Sequence, residues 1–286
     1  MRRRLAGRRI LAVRVLRGDI LQPSAAAWRR EVPGRTLQEV SRAGKCLVWH
    51  LGPDLRALWS LRMTGQPRLA HPESPLAPHT HLVFAFEGMD EEFRYRDVRR
   101  FGRLRLYRPG EEASIPLLGG AGPDALTIGQ RAFREALAGR SAPVKSVLLD
   151  QRRLAGVGNI YADEALHRAG IHPATAAGSL AAEAAERLRT AIQDVLAEGI
   201  RRGGSTIESF GGLGGESGGY QKLHRVYGRG GEPCLTCGAR IARLVLGGRS
   251  SHYCPACQGP RPRRRAVSRR ARRAGRSRPH RATGRT

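Results

Sequence analysis

Short alternating apolar runs dominate the first third of the chain. From Leu55 to Met63 an apolar side chain occupies every second position, which is the period of a strand with one buried face. Runs of this kind, divided by Gly, Pro and charged turns, occupy Arg9–Arg17, Cys46–Leu51, Leu55–Met63, His81–Glu87, Glu91–Arg96 and Gly102–Tyr107. Because no helical pattern separates them, residues 1–118 are predicted to form an antiparallel β-sandwich or barrel.

A helical period replaces the alternation after residue 119. Apolar residues recur at helical spacing from Leu180 to Ile200, with Ser179 as the predicted N-cap and Gly203-Gly204 as the stop. Shorter helical segments are predicted near 129–139, 144–152 and 159–169. The glycine-rich stretch that follows is typical either of a functional loop or of a linker. We predict a helical domain over 119–219 that includes this stretch.

Charge indicates a polyanionic partner. The chain has 51 Lys+Arg against 24 Asp+Glu, a net charge of +27. Twelve of the basic residues and none of the acidic ones lie in 258–286, so residues 1–257 still carry a net charge of +15. The apolar content of 40% excludes disorder of the whole chain. The basic tail, 258–286, is predicted to be disordered and to hold nucleic acid.

The chain shows no sign of a membrane protein. No stretch approaches the ~20 apolar residues of a spanning helix, and Arg2-Arg3-Arg4 is not followed by the apolar run of a secretory signal. We expect a cytoplasmic monomer. The few lysines, Lys45, Lys145 and Lys222, fit the codon usage of a GC-rich genome and leave few amines for chemistry.

Residues 220–257 contain two Cys-x2-Cys knuckles, which are separated by 16 residues. This spacing allows a hairpin that brings four thiolates together around one structural Zn²⁺. Two disulfides or two redox pairs are the alternatives, and the absence of a secretion signal disfavours disulfides. Cys46 stands alone and is interpreted as a buried small hydrophobe. The predicted zinc ligands are Cys234, Cys237, Cys254 and Cys257.

With these motifs in order, residues 2–257 resemble the bacterial formamidopyrimidine-DNA glycosylases of the Fpg/Nei family. The resemblance implies a β-sandwich, a helix–two-turns–helix DNA-binding domain and a zinc ribbon, an α+β fold in all. It implies excision of oxidised purines (8-oxoguanine, formamidopyrimidines) from damaged duplex DNA and nicking of the abasic site by β,δ-elimination. The motifs that carry it are Met63-Thr64-Gly65, Asp97–Gly102, Leu148–Gln151, Gly156–Ala162, Gly170–Pro173 and Val226–Arg229.

The resemblance also implies roles for single residues. Met63, Arg99 and Phe101 match the side chains that fill the space left by an extruded base. The alternatives are core packing for the two apolar residues and a solvated charge for Arg99. Lys45 is similar to the lysine of the β-elimination step. Arg249, placed by its sequence at the tip of the ribbon hairpin, matches the arginine of δ-elimination and phosphate binding.

Three further residues are implied to contact DNA. The resemblance assigns DNA contact to His79 and phosphate contact to Asn159, where Gly156 and Gly158 leave the backbone open to an anion. Asn159 can also serve as a helix N-cap. Arg140 is a weaker match and can be an ordinary surface arginine at a helix end.

The match fails at the N-terminus. The family begins Met-Pro-Glu-Leu-Pro-Glu-Val-Glu-Thr-Val, where the proline amine attacks the sugar C1′ and the glutamate acts as acid and base. Here Met1-Arg2-Arg3-Arg4 aligns with a later Val-Arg-Arg stretch of the family. We hypothesise a misassigned gene start. In-frame Pro-Glu-Leu-Pro-Glu codons upstream of Met1 would support this hypothesis, and a stop codon there would reject it.

Other functions remain open at this level. A variant of the family could bind damaged DNA without cutting it, or cut abasic sites through Lys45. A Nei-type enzyme for oxidised pyrimidines is the near alternative. A zinc-ribbon RNA-binding protein is the third, but it leaves the Asp97–Gly102 and Gly156–Ala162 motifs unexplained.

Overall fold

The structure, a computed structural model, describes residues 1–206 and 212–259. The predicted tail from residue 260 onward and part of the glycine-rich stretch lie outside the described residues. Within the described chain, a sandwich of two sheets is followed by a helical domain and a small cysteine module. This confirms the predicted α+β architecture and its order.

Each sheet of the sandwich has five strands, with the orders β3-β1-β8-β9-β7 and β2-β10-β6-β5-β4. All neighbouring strands pair antiparallel except β2 and β10, which run parallel. The strands are β1 Arg8–Val15, β2 Leu21–Gln22, β3 Thr36–Leu37, β4 Glu39–Ala43, β5 Cys46–His50, β6 Arg56–Ser60, β7 Gly65–Ala70, β8 Thr80–Phe86, β9 Glu92–Asp97 and β10 Arg103–Tyr107.

Aromatic packing between the two sheets forms the first core. Trp49 and Trp59 lie 4.5 Å apart between ring centroids. Phe93 packs edge-on against both, and Phe84 packs edge-on against Trp49 and at a tilt against Trp59. All four side chains are fully buried. Cys46 is also buried, as predicted, in a smaller cluster on β5.

Seven helices complete the described chain, and four of them build the helical domain. Their apolar faces form a second core, separate from that of the sandwich. The helices are α1 Arg2–Leu5, α2 Ala25–Glu31, α3 Pro116–Gly119, α4 Gln130–Leu137, α5 Val144–Leu149, α6 Asn159–Ala169 and α7 Ala182–Arg201. None of these helices is long and apolar enough to cross a lipid bilayer.

The predicted start of the longest helix is wrong by two residues. Ala181 is the N-cap of α7, whereas Ser179 lies in a preceding 3-10 turn. The Ser179 hydroxyl donates to the Ala176 carbonyl within that turn (2.8 Å) and is therefore not free to cap α7. The predicted stop holds, because Gly203 has φ +71° and the Gly204 N–H bonds the Gly199 carbonyl (2.8 Å).

The cysteine module is built on one hairpin, β11 (Ala242–Leu246) and β12 (Arg249–Tyr253). It extends beyond the predicted limit at residue 257. Gln258, predicted to belong to the disordered tail, is buried, donates to the Ile171 carbonyl (2.8 Å) and accepts from the Cys254 N–H (2.8 Å). The module is thus bonded to the helical domain up to this residue.

Candidate DNA-binding and catalytic site

A cavity of about 600 Å³ lies between the sandwich and the helical domain. The β4–β5 turn with Lys45 forms one wall, together with Arg62 after β6. Gly156, Gly158 and Tyr161 form the facing wall. Clefts of this size between structural units are the usual place of a ligand site.

Lys45 presents an amine with altered acidity to this cavity. The residue is exposed to solvent and at the same time lines the cavity beside Arg62 and Gly158. Desolvation in the cleft, followed by the positive charges of Arg249 and Arg62, lowers the pKa of Lys45 to about 8. Part of the amine is therefore neutral near physiological pH.

Arg249 lies near Lys45 but belongs to the cysteine module. Gly247 and Gly248 both have positive φ (+55° and +74°) and form the two-residue loop of the hairpin, a turn that matches the twist of the strands. Arg249 is the first residue after this loop and is exposed. Its charge acts on Lys45, so the two predicted catalytic cations lie near each other.

Asn159 supports the hairpin rather than capping its helix. The N-cap of α6 is Gly158, and Asn159 is the first helical residue. Its side-chain Nδ2 donates to the Ser250 carbonyl (3.1 Å), beside Arg249. Its Oδ1 is buried and accepts no hydrogen bond from the described residues. The predicted N-cap role is therefore wrong, and phosphate contact stays a prediction.

Met63, Arg99 and Phe101 form one exposed group on the sandwich. The Arg99 guanidinium lies 4.5 Å from the centroid of the Phe101 ring, and Nη1 lies 3.7 Å from the Met63 sulfur. Met63 is 68% exposed and Phe101 47% exposed, so neither packs in the core. Large apolar side chains at such exposure are available to contact a partner.

A buried carboxylate joins the two turns that carry this group. Asp97 accepts from the Thr64 hydroxyl on one turn and from the Gly102 N–H on the other (2.7 Å). A Cβ at Gly102 would lie 2.1 Å from the Tyr95 hydroxyl, so only glycine fits there. The neighbouring residues Arg62 and Arg100 both have φ +53°. Such strained backbone is common at functional sites.

The four cysteines meet in one cluster in which every Sγ lies within 4.8 Å of the others. The Sγ distances are 3.4 Å for Cys237–Cys254 and 3.9 Å for Cys234–Cys257. Tetrahedral zinc with bonds of ~2.3 Å separates its sulfurs by about 3.8 Å, whereas a disulfide requires ~2.0 Å. The cluster fits one structural Zn²⁺, and the disulfide alternative is wrong.

Comparisons with known proteins agree with this arrangement. The sequence matches the Formamidopyrimidine-DNA glycosylase N-terminal domain over residues 1–104, the Formamidopyrimidine-DNA glycosylase H2TH domain over 120–211, and the Zinc finger found in FPG and IleRS over 231–259. It is 40% identical over 257 residues to formamidopyrimidine-DNA glycosylase of Bacillus subtilis (strain 168), a match that covers 88% of this chain and 92% of that protein. The chain belongs to the formamidopyrimidine-DNA glycosylase family.

Other family members support the assignment. The formamidopyrimidine-DNA glycosylase of Symbiobacterium thermophilum is 40% identical over 277 residues, 96% of this chain and 90% of its own. The Lactococcus lactis Fpg complex with Fapy-dG-containing DNA has a TM-score of 0.83 and 34% identity, and covers 91% of this chain and 96% of its own. The Lactococcus lactis Fpg complex with DNA containing an abasic site has a TM-score of 0.84 at 34% identity, with coverages of 91% and 95%.

Two further residues predicted to contact DNA, His79 and Arg140, are both exposed but lie in different parts of the molecule. His79 is exposed, has φ +66°, and its carbonyl accepts from the Asp97 N–H (3.1 Å), next to the turn that carries Arg99. Arg140 is exposed in the loop after α4, where its backbone pairs with Leu137 and Gly178. The partners in these hydrogen bonds, Asp97 for His79 and Leu137 and Gly178 for Arg140, are not themselves predicted site residues.

Sequence reasoning missed three groups that organise the site. Arg62 stands in the cavity wall beside Lys45. Arg42 pairs with Asp124 between the domains, and Lys145 pairs with Asp163 beneath the ribbon hairpin. The scarcity of lysine in this chain is the one sequence signal that pointed to Lys145. Ion pairs between residues so far apart in sequence left no signal of their own.

Proposed function

We propose that the protein is a DNA repair glycosylase that excises oxidised purines from duplex DNA and then nicks the abasic site. The observation that carries the proposal is that Lys45 lines the cavity between the two domains and lies close enough to Arg249 for that charge to lower its pKa. An exposed apolar and cationic group lies on the same domain as Lys45. The complexes of Lactococcus lactis Fpg with Fapy-dG and with abasic DNA support the substrate class.

The exposed group suits base extrusion. An enzyme that acts on a base must turn it out of the stack, and apolar side chains inserted between base steps kink the duplex and hold the gap open. Met63 and Phe101 supply such wedges, and Arg99 supplies a donor for the base left without its partner. We propose these roles for the three residues, with His79, Asn159 and Arg140 as further DNA contacts.

Lys45 and Arg249 suit the elimination steps. In β-elimination a base takes the C2′ proton, the electron pair of that C–H bond forms the C2′=C3′ double bond, and the C3′–O bond breaks so that the phosphate departs with its electron pair. The neutral Lys45 amine can accept that proton, since its pKa is lowered to about 8. The Arg249 guanidinium can hold the departing phosphate in a charge-assisted hydrogen bond. The same guanidinium can assist δ-elimination, in which the C5′–O bond breaks.

The test is excision of 8-oxoguanine and nicking of a preformed abasic site, measured on separate duplexes. Lys45→Gln is expected to lower the nicking rate about 10²-fold, the usual contribution of a positioned acid–base group. The rate of the unaltered chain should rise with pH, with a midpoint near pH 8, where half of the Lys45 amine is neutral, and should level off at higher pH. Arg249→Gln should move this midpoint upward, because it removes a neighbouring positive charge.

Lys222→Gln is the matched control, since Lys222 is exposed and does not line the cavity. Borohydride trapping on both duplexes reports whether an imine forms. It should be repeated on a chain in which Met1 is replaced by Pro-Glu-Leu-Pro-Glu-Val-Glu-Thr-Val, the segment implied by the family resemblance, so that its last valine takes the place of Met1. If neither chain releases 8-oxoguanine nor nicks the abasic site, the proposed enzyme is wrong and a non-catalytic DNA-binding protein is left.

We further propose that the protein works in the cytoplasm on nucleoid DNA.

We also propose that residues 260–286 add DNA affinity that is independent of the DNA sequence. Each phosphate neutralised contributes about −0.9 to the slope of log K against log salt. Deleting 260–286, which leaves the bonded Gln258 in place, should therefore flatten the slope by about 3 or more while the preference for damaged over intact duplex is kept. Fluorescence anisotropy across a salt series measures both, and an unchanged slope would contradict the idea.

A further inference from the structure

A two-pronged ion pair crosses from the sandwich to the helical domain. Arg42 lies on β4, and its Nη1 and Nη2 contact Oδ2 and Oδ1 of Asp124 at 2.6 and 3.0 Å. The same Nη1 donates to the Gly44 carbonyl (2.9 Å) in the turn that carries Lys45. One planar guanidinium therefore bonds both the Lys45 turn and the opposite domain, which a lysine ammonium could not reproduce.

Asp124 is itself fixed to the segment that leads into α6. Its Oδ1 accepts from the Leu126 N–H (3.0 Å), and its backbone forms a β-bridge with Ala155. Burial pushes the pKa of Asp124 up, but Arg42 and the Leu126 N–H hold it below its ordinary value. The carboxylate is thus charged at neutral pH and held against Ala155.

The Lys45 turn also packs closely on this segment. Gly44 has φ +55°, and a Cβ at that position would lie 3.1 Å from the Cβ of Ala155 and 3.7 Å from the Gly156 nitrogen. The next residue in the chain is Lys45. A small displacement of the turn would therefore move the amine relative to Gly158 on the facing wall, where a Cβ would lie 4.0 Å from the Lys45 Nζ.

We propose that Arg42 and Asp124 are positioning residues that hold Lys45, which lines the cavity, in its place relative to Arg249. Lys45 belongs to the sandwich, whereas the Arg249 hairpin is bonded to the helical domain through Asn159. The pair joins these two units, and misplacement by about 1 Å can lower a rate about 10²-fold. The inference rests on the proposed function, because it concerns the same elimination site.

The pair contributes little to global stability. The Arg42 side chain is 40% exposed and the Asp124 side chain 27% exposed, and ion pairs of this kind have small effects on unfolding. A positioning role therefore predicts a loss of rate without a matching loss of fold. Arg35 and Asp54 form a comparable two-pronged pair within the sandwich (2.6 and 3.1 Å), and neither residue lines the cavity. Asp54→Asn is thus the matched control.

The experiment measures single-turnover nicking of a preformed abasic site at saturating enzyme, together with duplex Kd and Tm. Asp124→Asn and Arg42→Lys should each lower the rate constant about tenfold and leave Kd within about twofold. Asp124→Glu keeps the carboxylate and should recover most of the rate, and Asp54→Asn should leave the rate unchanged. Equal losses in Asp124→Asn and Asp54→Asn, or a loss that appears only in Kd, would overturn the proposal.

A second readout does not depend on activity. Reductive methylation with formaldehyde and borohydride, followed by peptide mass spectrometry, gives the pH midpoint for labelling Lys45, with Lys222 as the internal reference. Asp124→Asn should change the Lys45 midpoint by at least about half a pH unit, because a displaced turn changes the distances of the amine from Arg62 and Arg249, and the change also leaves the Arg42 charge unpaired beside the turn. If the unaltered chain neither excises nor nicks, the proposed function fails, and an unmoved midpoint would separately reject the positioning role.

Discussion

Removing zinc should unfold residues 220–259 and abolish tight binding to duplex DNA. The buried apolar core of this module consists of four residues, Val226, Cys234, Ile241 and Cys254. A core of this size is too small to keep the module folded without a metal ion or disulfides. Structural zinc supplies apparent binding energies of about 10–16 kcal/mol in small modules. Loss of the ion therefore removes more free energy than the remaining contacts of the module can replace.

The unfolding should be visible beyond the module. The Glu164 carboxylate on α6 accepts three consecutive backbone N–H groups, those of Arg225, Val226 and Tyr227 (2.9–3.0 Å). These bonds are lost when the module unfolds, and Arg249 is released with its hairpin. Hydrogen exchange after chelation should therefore show loss of protection in β11 and β12 and partial loss in α6.

Two cysteine variants separate the metal from general effects of thiol loss. Cys254→Ser removes a fully buried ligand and should yield protein with less than one zinc per chain and no tight DNA binding. Cys46→Ala changes the fifth cysteine, which lies in the sandwich, and should keep both. Zinc content by atomic absorption and binding by anisotropy test the pair. Full hydrogen-exchange protection of β12 in chelated protein would contradict the prediction.

Local patterns were sufficient to predict most of the fold. The alternation from Leu55 to Met63 predicted β6, and helical spacing predicted α7. Both predictions succeed because an element that buries one face repeats its apolar residues with the period of that element. The two-residue strands β2 and β3 are too short to show a period. Ser179 was a reasonable cap by residue type, but its hydroxyl is bonded within its own turn, which a local rule does not detect.

Site residues could be predicted where they belong to a sequence motif of the family, whereas contacts between distant segments could not. Lys45 and Arg249 were identified through resemblance, but the cavity that Lys45 lines was not. Arg42 and Asp124 lie 82 residues apart in sequence, and neither is unusual in composition or spacing. Their pairing depends on how two domains pack, which no single segment of the sequence encodes.

The buried ion pair beneath the β11–β12 hairpin is a second contact between separate segments of the chain, and its loss is expected to lower the free energy of unfolding strongly. Lys145 on α5 and Asp163 on α6 are fully buried, with Nζ 2.6 Å from Oδ1. Nζ also donates to the Ser250 carbonyl (2.7 Å) and the Ser251 hydroxyl (2.8 Å). Burial lowers the pKa of Lys145 and raises that of Asp163 to about 6, so each group depends on the other for its charge.

Lys145→Met should therefore lower the free energy of unfolding by about 3–5 kcal/mol, the cost of leaving one charge of a buried pair uncompensated. The nicking rate should fall as well, because Ser250 adjoins Arg249. Lys145→Met/Asp163→Leu removes both charges and should regain most of the lost stability, since apolar residues of similar volume often replace a buried pair without loss. Urea unfolding measures these differences, and Lys222→Met is the control at an exposed lysine. A loss below about 1 kcal/mol in the single variant would show that the pair is not the anchor of the hairpin.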